Sequence, residues 1–182
     1  ILGISEILLL AKGGLLNISD IPKISFHNSY FGGGMSSIVF QDMRESKALA
    51  YSVYSTYSIP KEIGKSHYSF SYVGTQSDKL EEALFSMTEL LENMPQADEN
   101  MNNAKESIEQ RIRTERLTRF KVLSQYEQAK KVGVDYDIRK DLYNQVQSFN
   151  MNTLIDFHNN YVAGKNRVVM ILGDKERLDM EV

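Results

Sequence analysis

Residues 4–11 (ISEILLLA) and 167–173 (RVVMILG) are two apolar runs of strand length, one near each end of the chain. Neither is long enough to cross a bilayer as a helix. Each suits a strand buried on both faces. Gly13 and Gly14 stop the first run. As the most apolar strands, the two are expected at the centre of a sheet. Residues 49–58, between them, are rich in Tyr, Val, Ser and Thr. Residues 66–74 alternate, with Tyr68, Phe70 and Tyr72 on one face and His67, Ser69 and Ser71 on the other. The connecting residues 59–65 contain Pro60 and Gly64, so this second pair of strands reads as a hairpin.

Helical periodicity accounts for most of the rest. Asp20 is expected to cap a helix with Pro22 in its first turn, carrying Ile24, His27, Asn28 and Phe31 and stopped by Gly32, Gly33 and Gly34. Ser36 or Ser37 caps the next, whose stripe is Met35, Val39 and Met43. Ser77 caps a strong helix with Leu80, Leu84, Met87, Leu91 and Met94 on one face, and Pro95 ends it. Asp98 begins another with Met101, Ala104, Ile108 and Ile112 inward. Its exposed side offers Glu109 with Arg113 and Glu115 with Arg119 as supporting pairs. Leu123, Tyr126 and Ala129 mark a further inward face, ending near Gly133. Asp137 caps a helix with Ile138, Leu142 and Val146. Asn152 caps the last, with Leu154, Phe157, His158 and Tyr161, ended by Gly164. The order β-α-α-β-β-α-α-α-α-α-β implies an α+β fold, with helices on one face of a mainly antiparallel sheet of four strands or slightly more. No repeat, low-complexity tract or linker interrupts residues 1–182, which read as one domain. Ile1 in place of an initiator Met suggests a processed product or a fragment of a longer chain.

Net charge is −3, which does not suggest nucleic acid or an anionic membrane as partner. The absence of cysteine removes disulfides and thiolate metal sites, and leaves cytoplasm and periplasm equally open for a soluble protein. Residues 7–11 lack a basic leader and do not read as a signal peptide.

The most specific signal is residues 30–54, YFGGGMSSIVFQDMRESKALAYSVY. Within it, FGGGMSS (31–37), Phe40-Gln41, Arg44-Glu45 and LAYSVYS (49–55) stand at mutual spacings that, with the element order, resemble the pitrilysin/insulinase-type zinc metallopeptidases. Mitochondrial processing peptidase and the core proteins of the cytochrome bc1 complex belong to that group. The resemblance covers nearly the whole chain. It implies the processing-peptidase domain fold, with paired domains closing like a clamshell around a peptide. It also implies a zinc motif, HxxEH with a distant Glu, in the first domain of the catalytic half. This chain resembles the second, C-terminal member of a pair. Of its three histidines, His27, His67 and His158, none has a histidine four residues away and none begins HxxEH. Catalytic zinc needs three protein ligands and a nearby base to ionise water. No metal and no catalysis are therefore expected from this chain alone; zinc and HxxEH are expected in another domain or subunit.

In the family, an Arg and a Tyr seven residues apart in the non-catalytic half reach into the chamber, hold the substrate backbone and help stabilise the reacting carbonyl. Arg44 and Tyr51 match that pair in identity and spacing. Guanidinium is a fixed cationic donor, and a phenol can donate to a carbonyl or oxyanion. The helix is expected to end between them, so convergence depends on the turn at residues 46–49. Taken singly, Arg44 would cap its helix and Tyr51 would be a half-buried strand residue; within the motif, the substrate-holding reading leads. Gly32, Gly33 and Gly34 carry two readings. One is close backbone approach to a peptide, implied by the glycine-rich loop linked to presequence binding in the mitochondrial enzyme. The other is a tight turn between helices. A nucleotide loop is excluded because GxxxxGK[ST] is not matched. The histidines, and Met87 with Met94, read as structural, and residues 105–119 as a solvated face. The hairpin is the candidate for peptide addition to a sheet edge.

The function these residues imply is a non-catalytic substrate-chamber domain of a zinc metalloendopeptidase. It would bind peptide and partner a domain or subunit bearing HxxEH. The alternative is a proteolytically inactive assembly module of the same family. A homodimer stays open.

Overall fold

In a computed structural model describing residues 3–174, four strands form one antiparallel sheet: β1 (Ile4–Leu15), β2 (Ser52–Tyr57), β3 (Ser66–Gln76) and β4 (Val168–Leu172). Their order is β2-β3-β1-β4. The helices are α1 (Ile21–Phe31), α2 (Ile38–Phe40, continued by a π-helical turn at Gln41–Ser46), α3 (Leu80–Glu92), α4 (Asp98–Thr114), α5 (Arg119–Lys131), α6 (Arg139–Gln145) and α7 (Met151–Tyr161). The architecture is the α+β arrangement expected, including the hairpin.

Strand alternation divides the sheet into two unlike faces. On the helix side, Ile7 and Leu9 of β1, Val53 of β2 and Val73 of β3 pack against Ile24, Phe26, Tyr30 and Phe31 of α1, Met87 and Leu91 of α3, Ile108 of α4 and Leu154 of α7. Burying each such side chain contributes about 1.5–3 kcal/mol. The Tyr30 hydroxyl donates to the Pro95 carbonyl at 2.7 Å and accepts from the Ala97 amide at 3.0 Å, fixing the turn between α3 and α4. This buried face also takes the polar side of β3. Ser71 Oγ meets Ser55 Oγ at 2.8 Å, and His67 Nδ1 donates to the Ser58 carbonyl at 2.6 Å. The aromatic side of β3, with Tyr68, Phe70 and Tyr72, lies on the open face.

Several local expectations give way. β4 is an edge strand, not a central one. Among the described residues it pairs with β1 alone, and Val169, on its helix-side face, is 43% exposed. In α5, Leu123 and Tyr126 are exposed and only Ala129 is buried. Val122, Tyr126 and Ala129 fall on one side of that helix, but this side borders an open cavity, so the outer part of the stripe is left uncovered. Ala129 instead joins Val132 and Val134 in a small separate cluster. Met35 is exposed in the glycine turn, while Val39 and Met43 are buried as expected. Glu115 lies past the end of α4 and pairs with Lys121 and Arg139, not with Arg119. Asn150, not Asn152, caps α7, through a reciprocal capping box with Thr153. Asp20 makes no side-chain cap bond; Asn17 caps the short turn preceding α1. Among the described residues, no helix is long and apolar enough to cross a membrane.

Candidate functional site

The glycine triplet ends α1 and sets it against β2. The Gly32 carbonyl accepts the Ser55 amide at 3.3 Å, and a Cβ on Gly32 would collide with the Ser55 backbone. A Cβ on Gly33 would stand 2.8 Å from the Asn28 carbonyl oxygen. Gly34 has φ +109°, and its carbonyl accepts the Ser37 hydroxyl at 2.7 Å while that oxygen caps the Phe40 amide. Packing and turn geometry thus account for Gly32 and Gly33; only Gly34 faces open space.

Arg44 lies in the π-helical turn with its side chain about half exposed. Its guanidinium sits 4.9 Å above the centre of the Phe40 ring, and its Nε is 3.8 Å from Glu45. The chain then reverses tightly. Lys47 N–H bonds the Asp42 carbonyl at 2.9 Å, and the amides of Leu49 and Ala50 both reach the Met43 carbonyl, at 2.8 and 3.3 Å. Ala48 adopts φ +50°, a left-handed conformation costing roughly 1 kcal/mol for a residue with a Cβ. Lys79 Nζ and Thr75 Oγ1 hold the carbonyls of Ala48 and Leu49 at 2.9 and 2.6 Å.

This braced turn delivers Tyr51 to the start of β2. Its amide bonds the Gly74 carbonyl at 3.1 Å, and its ring lies over Gly74 so closely that a Cβ there would be 3.0–3.1 Å from ring atoms and hydroxyl. The side chain is 45% exposed. Partial desolvation, then the charge of Glu6, raise the Tyr51 pKa, so its hydroxyl remains a donor at neutral pH. Arg44 and Tyr51 therefore stand at the two ends of one turn as accessible donors, each with its own partners. Gly74 and Glu6 are the participants that sequence reasoning missed. The signal available was a glycine at the end of an otherwise alternating strand.

Strand addition at the hairpin meets an obstacle. β2 is the hairpin strand at the sheet edge, but Gly32 occupies the Ser55 amide there. The Asn28 side chain takes both backbone groups of Tyr57: Nδ2 donates to its carbonyl at 3.0 Å and Oδ1 accepts its amide at 2.8 Å. Among the described residues, the open ladder belongs to β4.

The histidines form no metal tripod. His158 Nε2 lies 3.0 Å from the Leu91 carbonyl, which can only accept, so Nε2 carries the proton. His158 Nδ1 is then the acceptor for His27 Nε2 at 3.0 Å, and His27 Nδ1 is left buried without a partner among the described residues. Desolvation is the main cause holding the pKa of both below the usual range, His158 at about 4. His67 is engaged with Ser58, and among the described residues no group of three or more His, Asp or Glu is placed to hold a metal. These donors do not fit catalytic zinc. A cavity of about 870 Å³ opens elsewhere, between α5 and Ile21, Ile59 and Ile138.

Residues 5–108 match the model of the peptidase M16 inactive domain, over half of the chain. The uncharacterized zinc protease YmxG of Bacillus subtilis (strain 168) is 36% identical over 84 residues, covering 44% of this chain and 20% of that protein. The peptidase M16 inactive domain from Pseudomonas fluorescens superposes with a TM-score of 0.79 at 17% identity, over 93% of this chain and 40% of that one. An inactive peptidase domain from Bordetella parapertussis gives 0.71 at 15% identity, over 94% of this chain and 93% of that one. The chain thus spans a fifth of the curated relative and two fifths of the Pseudomonas chain. By the family match and the fold together, this chain belongs to the peptidase M16 inactive-domain family of zinc proteases.

Proposed function

We propose that this chain serves as a non-catalytic wall of a peptide-binding chamber, one domain of a larger zinc metallopeptidase. Arg44 and Tyr51 contact the peptide, and the zinc and its HxxEH motif are supplied by another domain or subunit. The observation that carries this reading is the seat of Tyr51: a protonated phenol held on Gly74 at the open face of the sheet, with its hydroxyl accessible. From that seat it can donate to a peptide carbonyl, and Arg44 can add a cationic donor from the far end of the turn. The test is peptide cleavage by the full assembly carrying Tyr51→Phe or Arg44→Ala. The expected result is a fall in kcat/KM of about tenfold or more for each, since a single oxyanion donor contributes about that or more. Unchanged values for both variants overturn the assignment.

A second reading, an assembly module without proteolytic duty, is favoured by β4, whose residues Val168, Val169, Met170 and Leu172 are all exposed. An apolar edge of this kind is a surface that a neighbouring polypeptide covers, a second copy of the chain included. An assembly that lacks HxxEH throughout and hydrolyses no peptide would decide for this reading.

A further inference from the structure

The open face of the sheet sets one carboxylate among aromatic rings. Glu6 of β1 stands opposite Gly74 of β3, and Gly74 stands opposite Ser52 of β2. Because Gly74 has no side chain, the Tyr51 ring fills the space above it, where Glu6 acts on its hydroxyl. One rung along, Tyr54, Tyr72, Leu8 and Met170 make a row across all four strands. The Tyr54 ring stacks on Tyr72 at 5.3 Å and on Phe70 at 5.8 Å. Desolvation and then the neighbouring Glu6 raise the Tyr72 pKa, so this phenol also stays protonated beside the carboxylate.

Among the described residues of the four strands, the register places one other charge on this face, Lys12, six residues farther along β1. At strand spacing that is roughly 20 Å away, too far to neutralise Glu6. A carboxylate bordered by ring faces, with no nearby cation on its face among the described strand residues, is complementary to an ammonium or guanidinium group. The carboxylate supplies opposite charge, the rings supply cation–π attraction, and Leu8 and Met170 offer apolar surface to the aliphatic stem. An acidic side chain would be repelled, and an apolar one would bring no opposite charge to the carboxylate, which the Tyr72 hydroxyl meets.

We propose that Glu6, with Tyr51, Tyr54 and Tyr72, forms a subsite for a lysine or arginine side chain of the bound peptide. This assignment rests on the reading of the open face as a peptide-binding wall. It goes further in naming the side-chain class taken there.

The test is an NMR titration of the full chain with two blocked tripeptides, acetyl-Ala-Arg-Ala-amide and its citrulline counterpart, which has the same shape without the charge. The expected result is saturable shifts of the Tyr51, Tyr54 and Tyr72 ring signals, with the arginine peptide bound about fivefold or more tightly than citrulline. Glu6→Gln should abolish that preference, and Tyr72→Phe, which keeps the ring face, should retain it. Equal binding of the two peptides, a preference that survives Glu6→Gln, or shifts confined to other residues would overturn the subsite, as would the absence of saturable shifts at millimolar peptide. Failure of the two proposals is distinguishable. If the peptides bind alike while Tyr51→Phe and Arg44→Ala lower cleavage by the assembly, the cation subsite falls and the chamber wall stands. If the arginine preference holds while both variants cleave normally, the chamber role falls.

Discussion

At one edge of the sheet, β2 commits three outward backbone groups to α1, through Asn28 and Gly32; at the other, β4 presents an uncharged strand with no partner beyond β1 among the described residues. Both are edges of one sheet, and unpaired strand edges invite pairing with other chains. At β2 the solution is internal. A helix end supplies a carboxamide that imitates a strand's donor and acceptor, and a glycine lets the two backbones touch. At β4 there is neither a charge nor a proline, and Met170 and Leu172 are exposed on one face with Val169 on the other. The closed edge has its outward groups tied into the fold, whereas the open edge is held by its pairing with β1 and by Ile171 against the core. Substitutions at the two edges should therefore differ in kind as well as in size.

The largest effect is expected from Gly32→Ala. The new methyl collides with the Ser55 backbone, which cannot swing aside as a side chain would. The expected loss is about 3 kcal/mol or more, read from the midpoint of urea denaturation. A variant as stable as the parent would mean that α1 does not seal β2 in this way.

Acidification should act on the same helix. α1 is tied to α7 by the His27–His158 pair, both neutral in the fold and with pKa values lowered chiefly by burial. In the unfolded chain these rings protonate below about pH 6.5. Their folded pKa values are lower, so the stabilising contribution is complete above pH 6.5 and declines as pH falls toward about 4, the value for His158. The loss attributable to His158 is on the order of 3 kcal/mol across that window. Denaturation midpoints at pH 7.5, 6 and 5 should fall in that order, in a range above the titration of the depressed carboxylates Glu92 and Asp137. A flat profile above pH 5 would refute a neutral buried pair.

Asn28→Ala removes two hydrogen bonds to the Tyr57 backbone at the partly covered edge. It should cost about 1–2 kcal/mol and speed hydrogen exchange at the Tyr57 amide. Normal exchange there would indicate that Gly32 alone closes the edge. The smallest change in stability is expected at the open edge. Met170→Lys should move stability by no more than about 0.5 kcal/mol. It should also reduce self-association or partner capture, measured by sedimentation velocity, because an edge lysine opposes strand pairing. A loss comparable to that of Asn28→Ala would mean that β4 is integral to the fold after all.

Much of the architecture was legible from local pattern. The alternation of residues 66–74, the stripe from Leu80 to Met94 and the stop at Pro95 each depend on neighbours within a few residues, and each element formed. The α5 stripe did not, because Leu123 and Tyr126 require a neighbouring surface to cover them, and sequence spacing cannot supply one. The pair Arg44 and Tyr51 was visible as a spacing, but its support was not. Gly74 is 23 positions from Tyr51 and Glu6 is 45, and only strand register brings them together.

The sequence by itself determined that β3 has an aromatic side and a polar side. Which side would face the helices was decided by the tertiary structure. Alternation alone favours burying Tyr68, Phe70 and Tyr72, yet His67, Ser69 and Ser71 are buried. The physical reason is that the long-range fold provides what those polar groups need: Ser55 for Ser71, the Ser58 carbonyl and the Tyr57 ring for His67. With these hydrogen bonds met inside, the aromatic rings are left on the open face beside Tyr51 and Glu6.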